Sequence, residues 1–399
     1  MNEKNIAVLG SGITAKSVRD YCRRANLNVV NYHEADLIIA SPGIPLDEFP
    51  KVDVPVISDI EWAYRLFRDS ASSPKIIAVT GTNGKSTVTA LISHICDIPY
   101  VGNIGVPILN YVGYETEFPE IVVEVSSYQL ETCYEFKPDI AVMLNVSPDH
   151  LGRHKTYDAY LNEKKKCCCN LDASNYVIYN EDDNDILSIV EDCNAEPIGF
   201  TGTQLESIYK ENSNSNLIGA HNDENISASV KVAECLGISQ SIIAHQLQSF
   251  KPLRHRLEIV SRHQDRIIVN DSKSTNPEST IAALKAFEQK PILICCGEDK
   301  GLELFDLAVT IVASARCVVL FGDISVRLES EIKQHNSEFS IIYVKNIEDA
   351  FTESWNLSKQ GDVILFSPGS SSLDQFKGFE DRGNRFVQCV ASYVETSLV

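Results

Sequence analysis

Short β-branched apolar runs alternate with helical patterns along nearly the whole chain. That alternation argues an α/β fold with mainly parallel sheets. Ile6-Ala7-Val8-Leu9 leads into Gly10-Ser11-Gly12 and then a helix from about Thr14 to Ala25. Asp36-Leu37-Ile38-Ile39-Ala40 runs into the turn Ser41-Pro42-Gly43. Too few residues separate Val29-Val30 from Leu37 for a crossover helix, so the first domain reads as small, with one βα unit missing. After a polar linker from Ser70 to Pro74, Lys75 to Thr80 opens a second domain, with further buried strands at Ile121-Val122-Val123-Glu124 and Ile140 to Leu144. Phe250-Lys251-Pro252-Leu253 marks a second boundary, followed by strands at Ile267–Asn270, Ile292–Cys295, Cys317–Phe321 and Val363–Phe366. The division is therefore 1–72, 73–250 and 251–399, in keeping with 399 residues being too many for one ordinary domain.

Composition narrows the chemistry. With 35 Lys and Arg against 55 Asp and Glu, the net charge is −20, which disfavours a nucleic-acid partner. Anionic small molecules still fit if cations cluster in a cleft. No apolar run approaches the roughly 20 residues that span a bilayer, so membrane insertion is not expected. The twelve cysteines lack paired CxxC spacing, and the first residues read as a strand rather than a signal peptide. Reduced thiols in the cytoplasm are expected. Cys167-Cys168-Cys169 read as small buried hydrophobes, because adjacent cysteines cannot all face one ion.

The strongest local signal is Ile76-Ile77-Ala78-Val79-Thr80-Gly81-Thr82-Asn83-Gly84-Lys85-Ser86-Thr87. A buried strand enters a glycine turn whose N–H groups and following helix suit a phosphate. Lys85 would neutralise the β/γ-phosphates, and the Ser86 or Thr87 hydroxyl would serve Mg²⁺. Val79 stands where the first glycine of GxxxxGK[ST] belongs. Glu124 ends a strand and can be a metal ligand or a solvated acid; the phosphate loop favours the former. Asp149 and His150 follow another strand end, where a lone histidine is more often structural. Lys164 lies in a helical stretch from Tyr157 to Cys169. It is either an ordinary solvated lysine or, as a carbamate, an anionic oxygen ligand.

Three of these segments, Gly81–Thr87, Glu124-Val125-Ser126-Ser127-Tyr128-Gln129-Leu130 and Leu144-Asn145-Val146-Ser147-Pro148-Asp149-His150-Leu151, resemble the central domain of Mur ligases. Ala220-His221-Asn222-Asp223-Glu224-Asn225 resembles that family's HNxxN element. The last domain is similar too, through His255-Arg256-Leu257-Glu258, Asn270-Asp271-Ser272-Lys273-Ser274-Thr275-Asn276-Pro277 and Ser367-Pro368-Gly369-Ser370-Ser371-Ser372-Leu373-Asp374-Gln375-Phe376. The resemblance covers nearly the whole chain in order. It implies a small Rossmann-like N-terminal domain, a central P-loop-type ATPase domain with a mostly parallel sheet, and a C-terminal Rossmann-like α/β domain.

The last two motifs are most similar to family members that add D-glutamate. They imply a cytoplasmic, monomeric ligase joining D-glutamate to UDP-N-acetylmuramoyl-L-alanine, with ATP and two Mg²⁺ ions, in peptidoglycan precursor synthesis. By the same resemblance Lys85 holds ATP phosphates, Ser86 and Glu124 one Mg²⁺, and His150 with carbamylated Lys164 the other. Asn222, Asn225, Arg256 and Asp271 are implied to hold the nucleotide. Asn103, Ile13, Thr14 and Gly43 are implied at the UDP substrate, and Lys273, Thr275, Lys300, Ser372, Leu373 and Phe379 at D-glutamate. Lys300 has an alternative reading as a surface-turn lysine paired with its own acids.

ATP would then be shared between the second and third domains, and closure of the third would exclude water. The chain departs from the family at Gly152, where aspartate is usual, at Gly369-Ser370-Ser371 in place of Ala-Cys-Ala, and in the shortened first domain. Rival readings are a Mur or folylpolyglutamate-type ligase for another amino acid, and an ATP-binding regulator without catalysis.

Overall fold

The computed structural model describes residues 4–203, 205–212, 217 and 221–396; Ala220, which opens the HNxxN-like motif, and Met1 lie outside them. The fold is α/β with three sheets. In the first, β1 (Asn5–Leu9), β2 (Asn28–Val29), β3 (Leu37–Ala40) and β4 (Val56–Ser58) run parallel in the order β2-β1-β3-β4, with helices α1 (Ile13–Arg24) and α2 (Asp59–Asp69). The β2–β3 link has no helix, because β2 is only two residues long. It pairs with Asn5 and Ile6, the level at which β3 also starts, so the chain has almost no strand length to retrace.

The second sheet contains β5 (Lys75–Thr80), β6 (Tyr100–Gly102), β7 (Glu120–Glu124), β8 (Ile140–Met143), β9 (Tyr176–Asn180) and β10 (Glu196–Phe200), all parallel, in the order β10-β9-β8-β5-β7-β6. Its helices are α3 (Lys85–Cys96), α4 (Ser127–Leu130), α5 (Leu151–His154), α6 (Tyr157–Lys165), α7 (Asn184–Glu191), α8 (Ser207–Asn212), α9 (His221–Cys235) and α10 (Gln240–Ser249). After β5 the chain builds β6 and β7 on one side, then β8 to β10 on the other. The carboxyl ends of β5, β7 and β8 therefore flank a topological switch point, where such sheets leave a crevice.

These two sheets belong to one compact unit that ends at Phe250. A shared hydrophobic core explains this, since Val18, Trp62 and Phe67 from the first layer pack with Ile108, Leu109 and Phe136 of the second. Burying each such side chain contributes about 1.5–3 kcal/mol. Glu61, fully buried on α2, adds a polar anchor. Its carboxylate accepts the N–H groups of Tyr134, Glu135 and Phe136 at 3.0–3.2 Å, and Arg65 at 2.8 Å.

The second unit, from Lys251 onward together with Asn222, holds the third sheet. Its strands are β11 (Glu258–His263), β12 (Arg266–Asn270), β13 (Ile292–Cys296), β14 (Cys317–Phe321), β15 (Ile341–Tyr343) and β16 (Val363–Gly369), in the order β11-β12-β16-β13-β14-β15. Only β11 is antiparallel. Helices α11 (Pro277–Lys285), α12 (Phe305–Ser314), α13 (Ser325–His335), α14 (Ile347–Leu357) and α15 (Phe379–Thr396) cover it. Separate apolar clusters fill its two faces, so the central strands read as continuous apolar runs.

No helix among the described residues is long and apolar enough to cross a membrane. All twelve cysteines are free. Cys167 and Cys168 are buried as expected, but Cys169 is exposed. The correction follows from α6 ending at Lys165. The chain continues in turns, and Cys169 faces outward.

Candidate active site

The turn after β5 follows from its glycines. Gly81 and Gly84 have φ of 156° and 84°, where a side chain would be strained. A Cβ at Gly81 would also lie 2.9 Å from that of Leu144, and one at Gly84 would strike the Asn225 side chain. Because Gly84 is the N-cap, α3 begins with no side-chain cap, unlike α4, α6 and α7, capped by Ser126, Thr156 and Asp183. The positive end of its dipole suits an anion. Asn145 fixes the turn. Its carbonyl accepts Thr82 N–H at 2.8 Å, its Oδ1 accepts Asn83 N–H at 2.8 Å, and its amide donates to Asn83 O at 3.2 Å. Ser86 is buried and Thr87 half-buried in the first turn of α3.

Two lysines converge on this turn. Lys85 Nζ donates to Gly81 O and Thr82 O, each at 2.8 Å, and Lys164 Nζ donates to the same Gly81 O at 2.7 Å. Lys164 is 1% exposed, so the solvated reading of this residue is excluded. Burial, then the nearby Lys85 charge, hold its pKa well below the ordinary lysine value. Tyr160, one helical turn before Lys164, lies under its ammonium at 4.7 Å and bonds Thr82 Oγ1 at 2.9 Å. A cavity of about 350 Å³ is lined by Lys85, Lys164, His150, Asn103, Tyr160 and Gly43, with Pro42 and Ser126-Ser127-Tyr128.

Glu124 is 2% exposed at the end of β7. Its Oε1 accepts Asn103 Nδ2 at 2.8 Å, while its Oε2 is buried with no hydrogen-bond partner among the described residues. A buried carboxylate oxygen without a donor is costly unless a cation meets it. His150 is partly exposed at φ 55°, next to Asp149 and the Tyr128 ring. Its segment is held by Glu131, which accepts Arg153 Nε at 3.0 Å and faces His154 Nδ1 at 3.4 Å. Lys166 donates to Glu131 O at 2.8 Å, tying the end of α6 to the same anchor.

Elsewhere in this unit, Ile13 and Thr14 open α1 beyond β1, and Gly43 follows β3. Ile13 is 69% exposed at that strand-end edge, and only Gly43 of the three lines the cavity. Asn225 of this unit and Asn222 of the second are buried in the first turn of α9.

In the second unit, six of the predicted residues follow the carboxyl ends of three neighbouring parallel strands, while Arg256 precedes β11 and Phe379 opens α15. Asp271, Lys273 and Thr275 follow β12, Ser372 and Leu373 follow β16, and Lys300 follows β13. Asp271 is buried, and its carboxylate accepts Leu257 N–H at 3.1 Å, Ser274 Oγ at 2.5 Å and Ser367 Oγ at 2.8 Å. Burial raises its pKa to about 6 despite these bonds. Half-buried Arg256 precedes Leu257 and lowers that pKa through its charge. Lys273 Nζ sits 3.9 Å over the Phe379 ring. Ser372 is buried and Leu373 exposed. Lys300 is exposed and makes no ion pair among the described residues. The neighbouring Asp299 pairs with Arg327 and Glu298 accepts Ser371 Oγ, so its own acids are otherwise engaged.

Tyr160, Asn145, Tyr128 and Ser126-Ser127 were not singled out from the sequence. The i, i+4 relation of Tyr160 to Lys164 was a usable signal, and the other four stand inside the recognised motifs.

Comparison with known proteins agrees with this architecture. The Mur ligase middle domain matches residues 79–233, and the Mur ligase glutamate ligase domain matches residues 255–369. The UDP-N-acetylmuramoylalanine–D-glutamate ligase of Clostridioides difficile (strain 630) is 32% identical, with 96% of this chain and 94% of that protein covered. The protein of the same name from Alkaliphilus metalliredigens (strain QYMF) is 34% identical over 90% of this chain and 84% of its own length. Among solved structures, MurF from Acinetobacter baumannii aligns with a TM-score of 0.66 at 16% identity, covering 96% of this chain and 90% of that one. MurF ligase from Thermotoga maritima in complex with ADP aligns at 0.63 and 19%, covering 98% and 95%. With its strand-end glycine turn, its fold and relatives of this identity over nearly its full length, the chain belongs to the Mur ligase family.

Proposed function

We propose that this protein uses ATP to join D-glutamate to UDP-N-acetylmuramoyl-L-alanine through an acyl phosphate, releasing ADP and phosphate. The relatives named for that reaction support the substrates. The observation that carries the chemistry is the meeting of Lys85 and Lys164 on one carbonyl of the glycine turn, at a cavity also lined by His150 and by Asn103, which donates to Glu124.

A carboxylate is a poor acyl donor because oxide would have to leave. Phosphorylation converts the leaving group to phosphate, but it brings two anions together. Positioning and charge neutralisation must then do most of the work. The 81–87 turn and Lys85 bind the phosphates of ATP. Asn103, Gly43, Ile13 and Thr14 hold the UDP-linked acid. Asn222, Asn225, Arg256 and Asp271 take the rest of the nucleotide. Lys273, Thr275, Lys300, Ser372, Leu373 and Phe379 hold D-glutamate, whose neutral amine attacks the acyl carbon; Lys300 and Lys273 offset its carboxylates.

The residues present fit Mg²⁺. Glu124 leaves one buried oxygen without a hydrogen-bond partner among the described residues, and Ser86 is buried in the first turn of α3; no cluster of three His, Cys, Asp or Glu side chains forms among the described residues. Magnesium characteristically takes one or two carboxylates and completes its shell with phosphate and water. Ser86 and Glu124 would hold one ion, and His150 and Lys164 a second. Bound there, magnesium supplies positive charge to the transferring phosphoryl group. Burial and the neighbouring Lys85 charge favour the neutral form of the Lys164 amine, the form that adds carbon dioxide, and the resulting carbamate would place an anion beside Lys85. We further assign the three domains to 1–72, 73–250 and 251–399, and the working form to a cytoplasmic monomer.

Phosphate release measured with the UDP-linked acid tests the reading. Release is expected with D-glutamate and far less with L-glutamate. Equal release with L-alanine, L-lysine or diaminopimelate, or none with D-glutamate, would overturn it.

A further inference from the structure

Arg382, in the first turns of α15, is among the largest fully buried side chains of the protein, with 0% exposure. A buried guanidinium ordinarily sits on a carboxylate. Here no ion pair to Arg382 is formed among the described residues. Its donors reach backbone and hydroxyl oxygens instead. Nε donates to Ser272 Oγ at 3.1 Å, Nη2 to Ser272 O at 2.9 Å and Nη1 to Ser370 O at 3.0 Å. Nη1 also lies 4.0 Å from Cys296 Sγ.

Those three partners have one thing in common. Ser272 follows β12, Ser370 follows β16 and Cys296 ends β13, and these strands are neighbours in the order β12-β16-β13. The fork thus bridges the carboxyl ends of three adjacent strands from beneath. Lys273 and Thr275 follow the first contact, Ser372 follows the second, and Lys300 follows the third. The bridged ends are braced against one another as well. Ser370 Oγ donates to Glu298 O at 2.5 Å, Ser371 Oγ donates to Glu298 Oε2 at 2.6 Å, and Ser272 Oγ donates to Phe379 O at 2.9 Å.

We propose that Arg382 is the positioning residue of the amino-acid subsite, setting the spacing of the three loops that grip the incoming dicarboxylic amino acid. The inference rests on the assignment of those loops to D-glutamate. Only a planar, forked cation reaches all three strand ends at once, which lysine cannot do. Asp374 carries the acid charge that acts on this guanidinium. The bridged loops therefore hold a buried cation in a chain of net charge −20 that must admit an amino acid with two carboxylates.

Steady-state kinetics of R382M, R382K and S272A in the full chain test this, with KM measured separately for amino acid and ATP and with Tm recorded. R382M is expected to raise KM for D-glutamate at least tenfold while KM for ATP stays within twofold. R382K, which keeps the charge and loses the fork, should recover only part of that loss. S272A removes the Nε contact together with the Ser272–Phe379 brace, leaves the Nη2 contact to Ser272 O, and should raise the same KM a few-fold. If R382M does not fold, S272A decides alone. An unchanged KM for D-glutamate, with kcat falling only as the folded fraction falls, would overturn the proposal and leave Arg382 a purely structural residue. Should the wild-type chain use another amino acid, the substrate assignment fails on its own, and the same KM comparison with that amino acid still tests the clamp.

Discussion

The strand-end sites of the two units handle buried charge in opposite ways. In the first unit, Lys85 and Lys164 both donate to the Gly81 carbonyl, while Glu124 has one buried oxygen without a hydrogen-bond partner among the described residues. In the second, Asp271 is capped by two hydroxyls and a backbone N–H, and Arg382 is spread over a hydroxyl, two carbonyls and a thiol. Unsatisfied charge costs stability and is retained where it meets a ligand, whereas satisfied charge fixes the backbone around it. The first site is thus a place of stored electrostatic strain, and the second a scaffold of fixed loops.

Substituting the strained lysine should separate function from stability most sharply. Lys164→Met is expected to lower phosphate release about 10³-fold, while Tm holds or rises because a buried cation is removed. Lys164→Ala leaves room for small acids, and partial recovery with short-chain carboxylates would identify the missing group as an anion. A large loss of Tm with Lys164→Met would erase the contrast between the sites.

The scaffold residue should behave in the reverse sense. Asp271→Ala strands the Leu257 N–H and two serine hydroxyls and should destabilise the second unit by about 3 kcal/mol, read from urea unfolding. An unchanged urea midpoint would show that its hydrogen bonds are not architectural.

A third charge adds a pH signature. Asp59, at the start of α2, is fully buried with its pKa raised to about 6, chiefly by desolvation. Its folded pKa lies above the unfolded value, so its contribution is fully present below about pH 4 and is lost as pH rises through 6. Asp59→Asn removes that loss. The stability of the variant relative to wild type should therefore grow between pH 4 and 7, by up to about 3 kcal/mol. A difference flat across this window would place the Asp59 pKa near its ordinary value.

The smallest effect belongs to Tyr160→Phe, which deletes the bond to Thr82 Oγ1. It should cost about 1 kcal/mol and slow phosphate release a few-fold. A loss as large as that of Lys164→Met would make the hydroxyl a participant in the chemistry.

The same contrast explains what could be read from the residues in order. The phosphate loop is local. One strand, two glycines at positive φ and an uncapped helix stand consecutively in Ile76–Thr87, so backbone geometry and chemistry appear together in twelve residues. The buried central strands were legible for a similar reason, since apolar runs are properties of adjacent residues. The missing helix of the first domain followed from the short spacing alone.

What remained hidden depends on residues far apart in the chain. Nothing local in Glu124 or Lys164 tells a solvated charge from a buried one. Their state is set by Asn103, 21 residues from Glu124, and by Gly81, 83 residues from Lys164. The exposure of Cys169 turned on where α6 happened to end. Arg382 acquires its partners only through the sheet order, which brings Ser272, 110 residues away, to its guanidinium. Local backbone preference and apolar periodicity thus determined the elements and the phosphate turn. Which charges lost their water, and which partners compensated them, was decided only when the parallel strands aligned their carboxyl ends.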